Sequence, residues 1–381
     1  MRWFVLITLL AACAAGLALA VTPNDAAKRA APPVQTRTTP AKPKPPPLRP
    51  PQYVVVSFDG SGGERMWTYW RSVAHRADAH FTFFVSGVYL LDWAHRMRYH
   101  PPRHTAGTSA IGFALPTGDL TVAGTLRGIA AGYRDGDEIG THFNGHFCGP
   151  GGVGDWTAAD WRNELEQFYG LLFHAGAKLP FGRSEIVGDR TPCLEGNLSA
   201  LYPVLKQLGF RYDASRLAPL GQWPQRDLGI WSIPLAEIPF IGHTFPVVSM
   251  DYNFFANQVS LAPARIELQT YRTLWNAFRA SYLGNRAPLS IGQHFETWES
   301  WAYDHALTRF LLDVCRRPEV HCVSFRELAD FLDSVPPARL RRYRTGRFPH
   351  VHAIPAPEPQ LNLFSTATIE RLKQWSAAVS K

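Results

Sequence analysis

The stretch Tyr53-Val54-Val55-Val56-Ser57-Phe58-Asp59-Gly60 constrains the fold more than any other. A β-branched and aromatic run, flanked by proline before and glycine after, reads as a buried strand that ends in a polar loop. Met66 to Arg76 then suits a helix, and Phe81-Thr82-Phe83-Phe84-Val85 a second buried strand. Strand, helix and strand at this spacing imply a parallel α/β sheet. Asp59 stands where the first strand finishes. Catalytic groups of barrel-like α/β proteins gather at such carboxyl ends, although a lone aspartate there is more often a turn former or helix cap.

Further on, Thr157 opens a helix through His174, and a strand over Ser184–Gly188 leads to Asp189-Arg190-Thr191-Pro192-Cys193. A helix over Leu198–Leu208 runs into Phe210-Arg211-Tyr212-Asp213-Ala214-Ser215, and a long helix over Ala262–Tyr282 precedes Pro288-Leu289-Ser290-Ile291-Gly292-Gln293-His294. Closing helices are expected at Tyr303–Arg316 and Phe325–Leu332, the second opened by a Ser324/Glu327 capping box. Residues 88–130, rich in aromatics, histidine, proline and glycine, read as a long excursion over one face, with His95, His100 and His104 left in solvent. Strands alternating with helices over about 280 residues predict an α/β fold, a distorted or incomplete (β/α) barrel.

The flanks differ in character. Residues 1–20 read as a secretory signal: Arg2, an apolar run from Trp3 to Leu10, and a small-x-small cleavage site at Ala18-Leu19-Ala20. Leu10-Ala11-Ala12-Cys13 offers a lipoprotein signal as a rival, and an uncleaved membrane anchor is a third reading. Export, to the medium, the periplasm or the cell surface, is common to all three. Residues 21–52 form a Pro-rich basic tether, residues 53–335 the catalytic-type domain, and residues 336–381 a basic C-terminal extension. The net charge of +8 lies largely in these flanks, which suits attraction to an anionic envelope surface. No nucleic-acid-binding motif is visible, so no nucleic-acid partner is expected.

Asp137-Glu138-Ile139-Gly140-Thr141-His142-Phe143-Asn144-Gly145-His146 places two histidines four apart. On a turn of helix that spacing lets both imidazoles reach one ion. A hydrolytic metal site needs about three protein ligands and an open position for water. In a chain with 14 histidines the pair alone is a weak signal. Arg190, Asp213 and His294 also stand at strand ends, and each singly has an ordinary explanation: a surface ion pair, a helix-exit carboxylate, a core-edge imidazole.

As an ordered set they resemble the polysaccharide deacetylase (NodB homology) family, carbohydrate esterase family 4. Five motifs carry the resemblance over roughly residues 53–335: Phe58-Asp59, His142-x-x-x-His146, Arg190-x-Pro192, Tyr212-Asp213-Ala214-Ser215, and a late strand ending at His294. Phe81–Val85 is similar to the family's ATFFV strand, and Asn285-Arg286-Ala287-Pro288 looks like the chitin-deacetylase-like branch. The resemblance implies hydrolysis of N-acetyl, sometimes O-acetyl, groups of an acetylated polysaccharide with one divalent metal, zinc foremost. Chitin-like oligomers, peptidoglycan amino sugars, exopolysaccharides and acetylated xylan all suit that chemistry. By the same carry-over His142 and His146 are metal ligands, Asp59 is the base kept ionised by Arg190, and His294 is the acid beside Asp213.

One position departs from the family pattern. The second aspartate of the first motif, a metal ligand in the family, is Gly60 here. Asp59 itself turns to the metal, or Glu64 or Asp251 fills in, or the metal site is defective and the protein binds glycans without turnover. Outside Cys13, the four cysteines of an exported chain are expected as Cys148–Cys193, pinning two site loops, and Cys315–Cys322; a zinc site of four thiolates is the rival. Trp156, Trp223, Trp298 and Trp301 are candidates for stacking on sugar rings, though such residues are as often core.

Overall fold

The computed structural model describes residues 48–174 and 178–354; the expected signal, the tether up to residue 47 and the extension beyond residue 354 lie outside the described residues. Its axis is β1 (Gln52–Gly60). In chain order follow α1 (Glu64–Ala77), β2 (Thr82–Val85), α2 (Val122–Asp135), β3 (Glu138–Thr141), α3 (Ala158–His174), β4 (Gly188–Asp189), α4 (Leu198–Gln207) and β5 (Tyr212–Asp213). Short strands β6 (Leu217–Pro219), β7 (Gln225–Asp227), β8 (Ile230–Ser232), β9 (Leu235–Pro239) and β10 (Pro246–Val248) lead to α5 (Asp251–Asn257) and α6 (Pro263–Leu283). The chain closes with β11 (Leu289–His294), α7 (Trp298–Val314), β12 (Val320–Val323), α8 (Phe325–Ser334) and α9 (Pro337–Arg344).

The main sheet runs β11-β1-β2-β3-β4-β5-β8-β7, with β12 paired beside β1 and with β6, β9 and β10 in a separate small sheet. All its pairings are parallel except β7 with β8, so the carboxyl ends of β1, β2, β3, β4, β5 and β11 share one rim. The sheet is curled and open, an incomplete (β/α) barrel as the alternation of elements predicts. Register fixes the rim: Asp59 lies opposite His294 across β1 and β11, and Asp189 opposite both Thr141 and Asp213.

Strand β1 is buried on both faces, as its apolar run implies. Val54, Val56 and Phe58 join one core, where Phe58 meets Trp70 at 4.6 Å and Phe83 at 5.0 Å. Tyr53 and Val55 join the other, beneath Phe325 and Leu328 of α8. Because side chains alternate along a strand, the second face continues to Ser57 and Asp59. Apolar at its base and polar at the rim, that face carries the chemistry. Ser324 and Glu327 form the expected capping box and start α8 where it covers this core.

Two readings of the sequence change. Residues 122–135, which begin inside the expected excursion and run past its end, form α2. Glycines at 124, 128 and 132 give them a loop-like composition, yet Gly128 and Gly132 let α2 lie on Trp67, since a Cβ there would come within 2.3 and 2.7 Å of its ring. The expected strand Ser184–Gly188 is a short 3-10 turn followed by the two-residue β4. His95, His100 and His104 are exposed as expected, while His95 bonds Asp92 at 2.7 Å and His104 stacks on Phe147 at 3.8 Å.

Candidate active site

Asp59 is the centre of the rim. Its side chain is almost wholly buried, and Oδ1 accepts a 2.8 Å hydrogen bond from the Arg190 guanidinium, which also donates to Ser57 Oγ at 2.6 Å. Arg190 is fully buried between the rings of Phe84 (4.8 Å) and Phe325 (5.7 Å). Burial alone would push the Asp59 carboxyl up, but Arg190, then His142 and His294, hold it below the usual carboxylate range. It is therefore ionised at neutral pH.

His142 follows β3 and His146 lies in the loop beyond it. The four-residue spacing suggests a helical turn, and the structure shows a loop instead, with Phe143 and His146 both at left-handed φ (57° and 58°). The two rings still converge, their centroids 5.0 Å apart. His142 Nδ1 lies 2.7 Å from the Arg190 carbonyl oxygen, which can only accept, so the proton sits on Nδ1 and Nε2 keeps its lone pair. Burial depresses His142 to about 3 and also lowers His146, so both imidazoles are neutral. Two neutral imidazoles and one ionised carboxylate, Asp59, are the donor types that a divalent cation such as zinc takes, and all three line one cleft.

Neither Glu64 nor Asp251, the two carboxylates expected to fill in, is free to ligate here. Glu64 is tied to Arg127 by two hydrogen bonds of 2.9 and 2.6 Å on the outer surface of α1. Asp251 binds His294. At Gly60 the backbone has φ +85°, and a Cβ would come within 3.3 Å of the Tyr89 ring. The glycine thus suits both the turn and the close approach of Tyr89. His146, Cys148 and Cys193 also converge, but the two sulfurs are joined as a disulfide and offer no thiolate. Both expected disulfides, Cys148–Cys193 and Cys315–Cys322, are present, which removes the four-thiolate zinc alternative.

His294 ends β11 opposite Asp59. The expectation that Asp213 holds it gives way here. Asp213 is fully buried and bound to the hydroxyls of Tyr202 and Ser215. The partner of His294 is Asp251, at 2.6 Å to Nδ1 and 2.8 Å to the backbone N–H. Burial works against a charged imidazole, yet Asp251, with a contribution from Asp59, outweighs it and pushes His294 up to about 9. The sequence carries no local signal for this contact. Asp251 and His294 meet because the backbone at Ser249–Met250 runs alongside β11, with Gly292 N–H donating to the Ser249 carbonyl at 2.9 Å.

Asp59, His142, His146, Tyr252 and His294 line two adjoining openings of one cleft. One, about 330 Å³, extends past Gly60, Tyr89 and Glu296; the other, about 410 Å³, past Thr191, Leu194 and Asn253. A larger cavity of about 730 Å³ between α1 and α2 contains none of these residues. Of the candidate sugar-stacking tryptophans, Trp156 and Trp223 are buried, Trp301 packs on Tyr69 at 5.1 Å, and Trp298 alone lines the cleft. It is followed by three left-handed residues, Glu299, Ser300 and Trp301, a conformation that costs roughly 1–2 kcal/mol per residue.

Neither a comparison with protein-family models nor a search of curated proteins finds a match. Solved structures do match. The matches are polysaccharide deacetylases and their relatives. A protein from Mycobacterium smegmatis described as a polysaccharide deacetylase is 16% identical at a TM-score of 0.47, covering 80% of this chain and 94% of that one. A family 4 carbohydrate esterase from Streptomyces lividans, solved with acetate, is 14% identical at 0.36, covering 68% and 88%. A family 4 pseudoenzyme from Bacillus anthracis is 10% identical at 0.41, covering 74% and 66%. Likeness at this level carries no argument about chemistry, which rests on the chain's own residues.

Proposed function

We propose that this chain is a metal-dependent hydrolase that removes acetyl groups, N-linked first, from an exported or cell-envelope polysaccharide. The observation that supports it best is the pairing across β1 and β11. Asp59 is held ionised and His294 is held protonated, on facing positions of one cleft. Two titratable groups driven in opposite directions are what a base and an acid require at neutral pH. Asp59 takes the proton of the attacking water as its oxygen adds to the acetyl carbonyl. The imidazolium of His294 then gives its proton to the departing nitrogen as the carbon–nitrogen bond breaks, leaving acetate and a free amine. His142 and His146, with Asp59 alongside, would hold the cation. When bound it polarises the carbonyl and acidifies the water. Arg190 keeps Asp59 charged, and Asp251 keeps His294 charged and oriented.

Gly60 supports a second reading, a glycan binder without turnover, because it leaves one carboxylate for two tasks. Asp59→Asn separates the two. Under the hydrolase reading, acetate release falls by about 10²–10⁴-fold while zinc content, measured by elemental analysis, shows whether Asp59 also ligates. Unchanged acetate release in that variant would break the assignment, and a wild-type chain that holds zinc and glycan without releasing acetate would establish the second reading.

A further inference from the structure

Helix α5 carries more than the carboxylate that holds His294. Asp251 starts the helix and turns inward, while the next residue, Tyr252, and Phe255 one turn on face outward, 53% and 36% exposed. Trp298, the first residue of α7, completes the surface. Its ring lies nearly parallel to Phe255 at 5.0 Å and tilted to Tyr252 at 6.0 Å, and it reaches to within 5.7 Å of the His294 ring. We propose that Tyr252, Phe255 and Trp298 form an open aromatic ledge that binds a pyranose ring of the polysaccharide chain next to the His294 end of the cleft. The proposal rests on the deacetylase reading and adds to it where a neighbouring sugar of the chain is held.

A pyranose presents C–H groups on its faces and hydroxyls on its edges. Flat aromatic rings suit the faces, and polar groups at the margin suit the edges. Asn253 and Glu296 supply those margins on either side of the ledge. An acyl chain or an apolar peptide would be better served by an enclosed groove. This surface is open and runs directly into the polar cleft, since Tyr252 lines both openings and Trp298 lines the first. A separate observation points the same way. Glu299, Ser300 and Trp301 all hold left-handed φ, of 50°, 59° and 69°. That turn lets Trp298 face α5 while Trp301 returns to pack on Tyr69. Backbone strain of this kind persists where the position of a side chain matters.

The test is calorimetric titration of the zinc-loaded, full-length Asp59→Asn protein with N-acetylglucosamine, with its hexamer, and with phosphatidylglycerol vesicles. The ledge predicts that the hexamer binds more tightly than the monomer. Phe255→Ala or Trp298→Ala should each weaken hexamer binding by about tenfold, the worth of one aromatic stacking contact. Phe255→Tyr should restore it, which a folding defect would not allow. Hexamer affinity unchanged within twofold in both alanine variants overturns the ledge, as does vesicle binding lost on the same substitutions with no glycan bound. The two proposals fail separately. Acetate release by a Phe255→Ala enzyme with undiminished hexamer affinity removes the ledge alone. Hexamer binding that depends on the ledge in a wild type that releases no acetate removes the hydrolase alone.

Discussion

His142 and His294 are the same residue at the same rim, yet one is pushed down to about 3 and the other up to about 9. Their fates follow from what each Nδ1 meets. His142 meets a backbone carbonyl, which fixes a tautomer but adds no charge to offset burial. His294 meets the Asp251 carboxylate, which does. In the proposed mechanism the first imidazole thereby serves as a lone-pair donor and the second as a proton donor. The two sides are also held differently. The His142 side is stapled by Cys148–Cys193, which ties the His146 loop to the loop after Arg190, whereas His294 is held by hydrogen bonds to Asp251. The difference in protonation thus rests on one partner group on each side.

Removing the staple is the strongest way to break this contrast. Cys148→Ser with Cys193→Ser opens a loop with a sequence separation of 45, for which chain entropy predicts a loss of about 4 kcal/mol in stability. Guanidinium unfolding reads this directly, and zinc titration should show weaker binding as the His146 loop loosens. A loss below about 1 kcal/mol would mean that packing alone holds the His142 side.

Asp251→Asn makes the His294 side resemble the other. Without the carboxylate the imidazole should return toward its ordinary range near 6.5, so the alkaline limb of the rate profile should move down from about 9. At pH 8 the protonated fraction then falls, and with it the rate, by about 30-fold, with a smaller effect near pH 6. Stability should follow with a defined sign. A folded-state pKa raised from 6.5 to about 9 stabilises fully below 6.5, and that contribution is lost as pH rises through 9. The wild type's advantage over Asp251→Asn should therefore narrow between about pH 6.5 and pH 9 in urea unfolding. An equal rate ratio at pH 6 and pH 8 would show that His294 is not the proton donor.

The smallest effect is expected at Gly60. Gly60→Ala must adopt φ +85° with its Cβ 3.3 Å from the Tyr89 ring, so it should cost about 1 kcal/mol and disturb the end of β1. Tyr89→Ala combined with it should recover the steric part alone. Full additivity of the two substitutions would mean that Tyr89 and Gly60 do not constrain one another.

By itself the sequence determined the parallel sheet, the buried β1, the capping box of α8, both disulfides and the presence of Asp59, His142, His146, Arg190 and His294 at one rim. The strands and the cap rest on information carried within a few residues, the disulfides on an even cysteine set, and the rim residues on the order of five motifs along the chain that resembles a known family. Only the tertiary structure decided that Asp251 rather than Asp213 holds His294. It also decided that the His142 pair sits on a loop with two left-handed residues, and that α2 docks Gly128 and Gly132 on Trp67. These depend on approaches between segments distant in sequence: Asp251 and His294 are 43 residues apart. A carboxylate's own neighbours record that it is polar, whereas its charge partner is set by which backbones lie side by side, and for Asp251 that is the docking of Ser249–Met250 along β11.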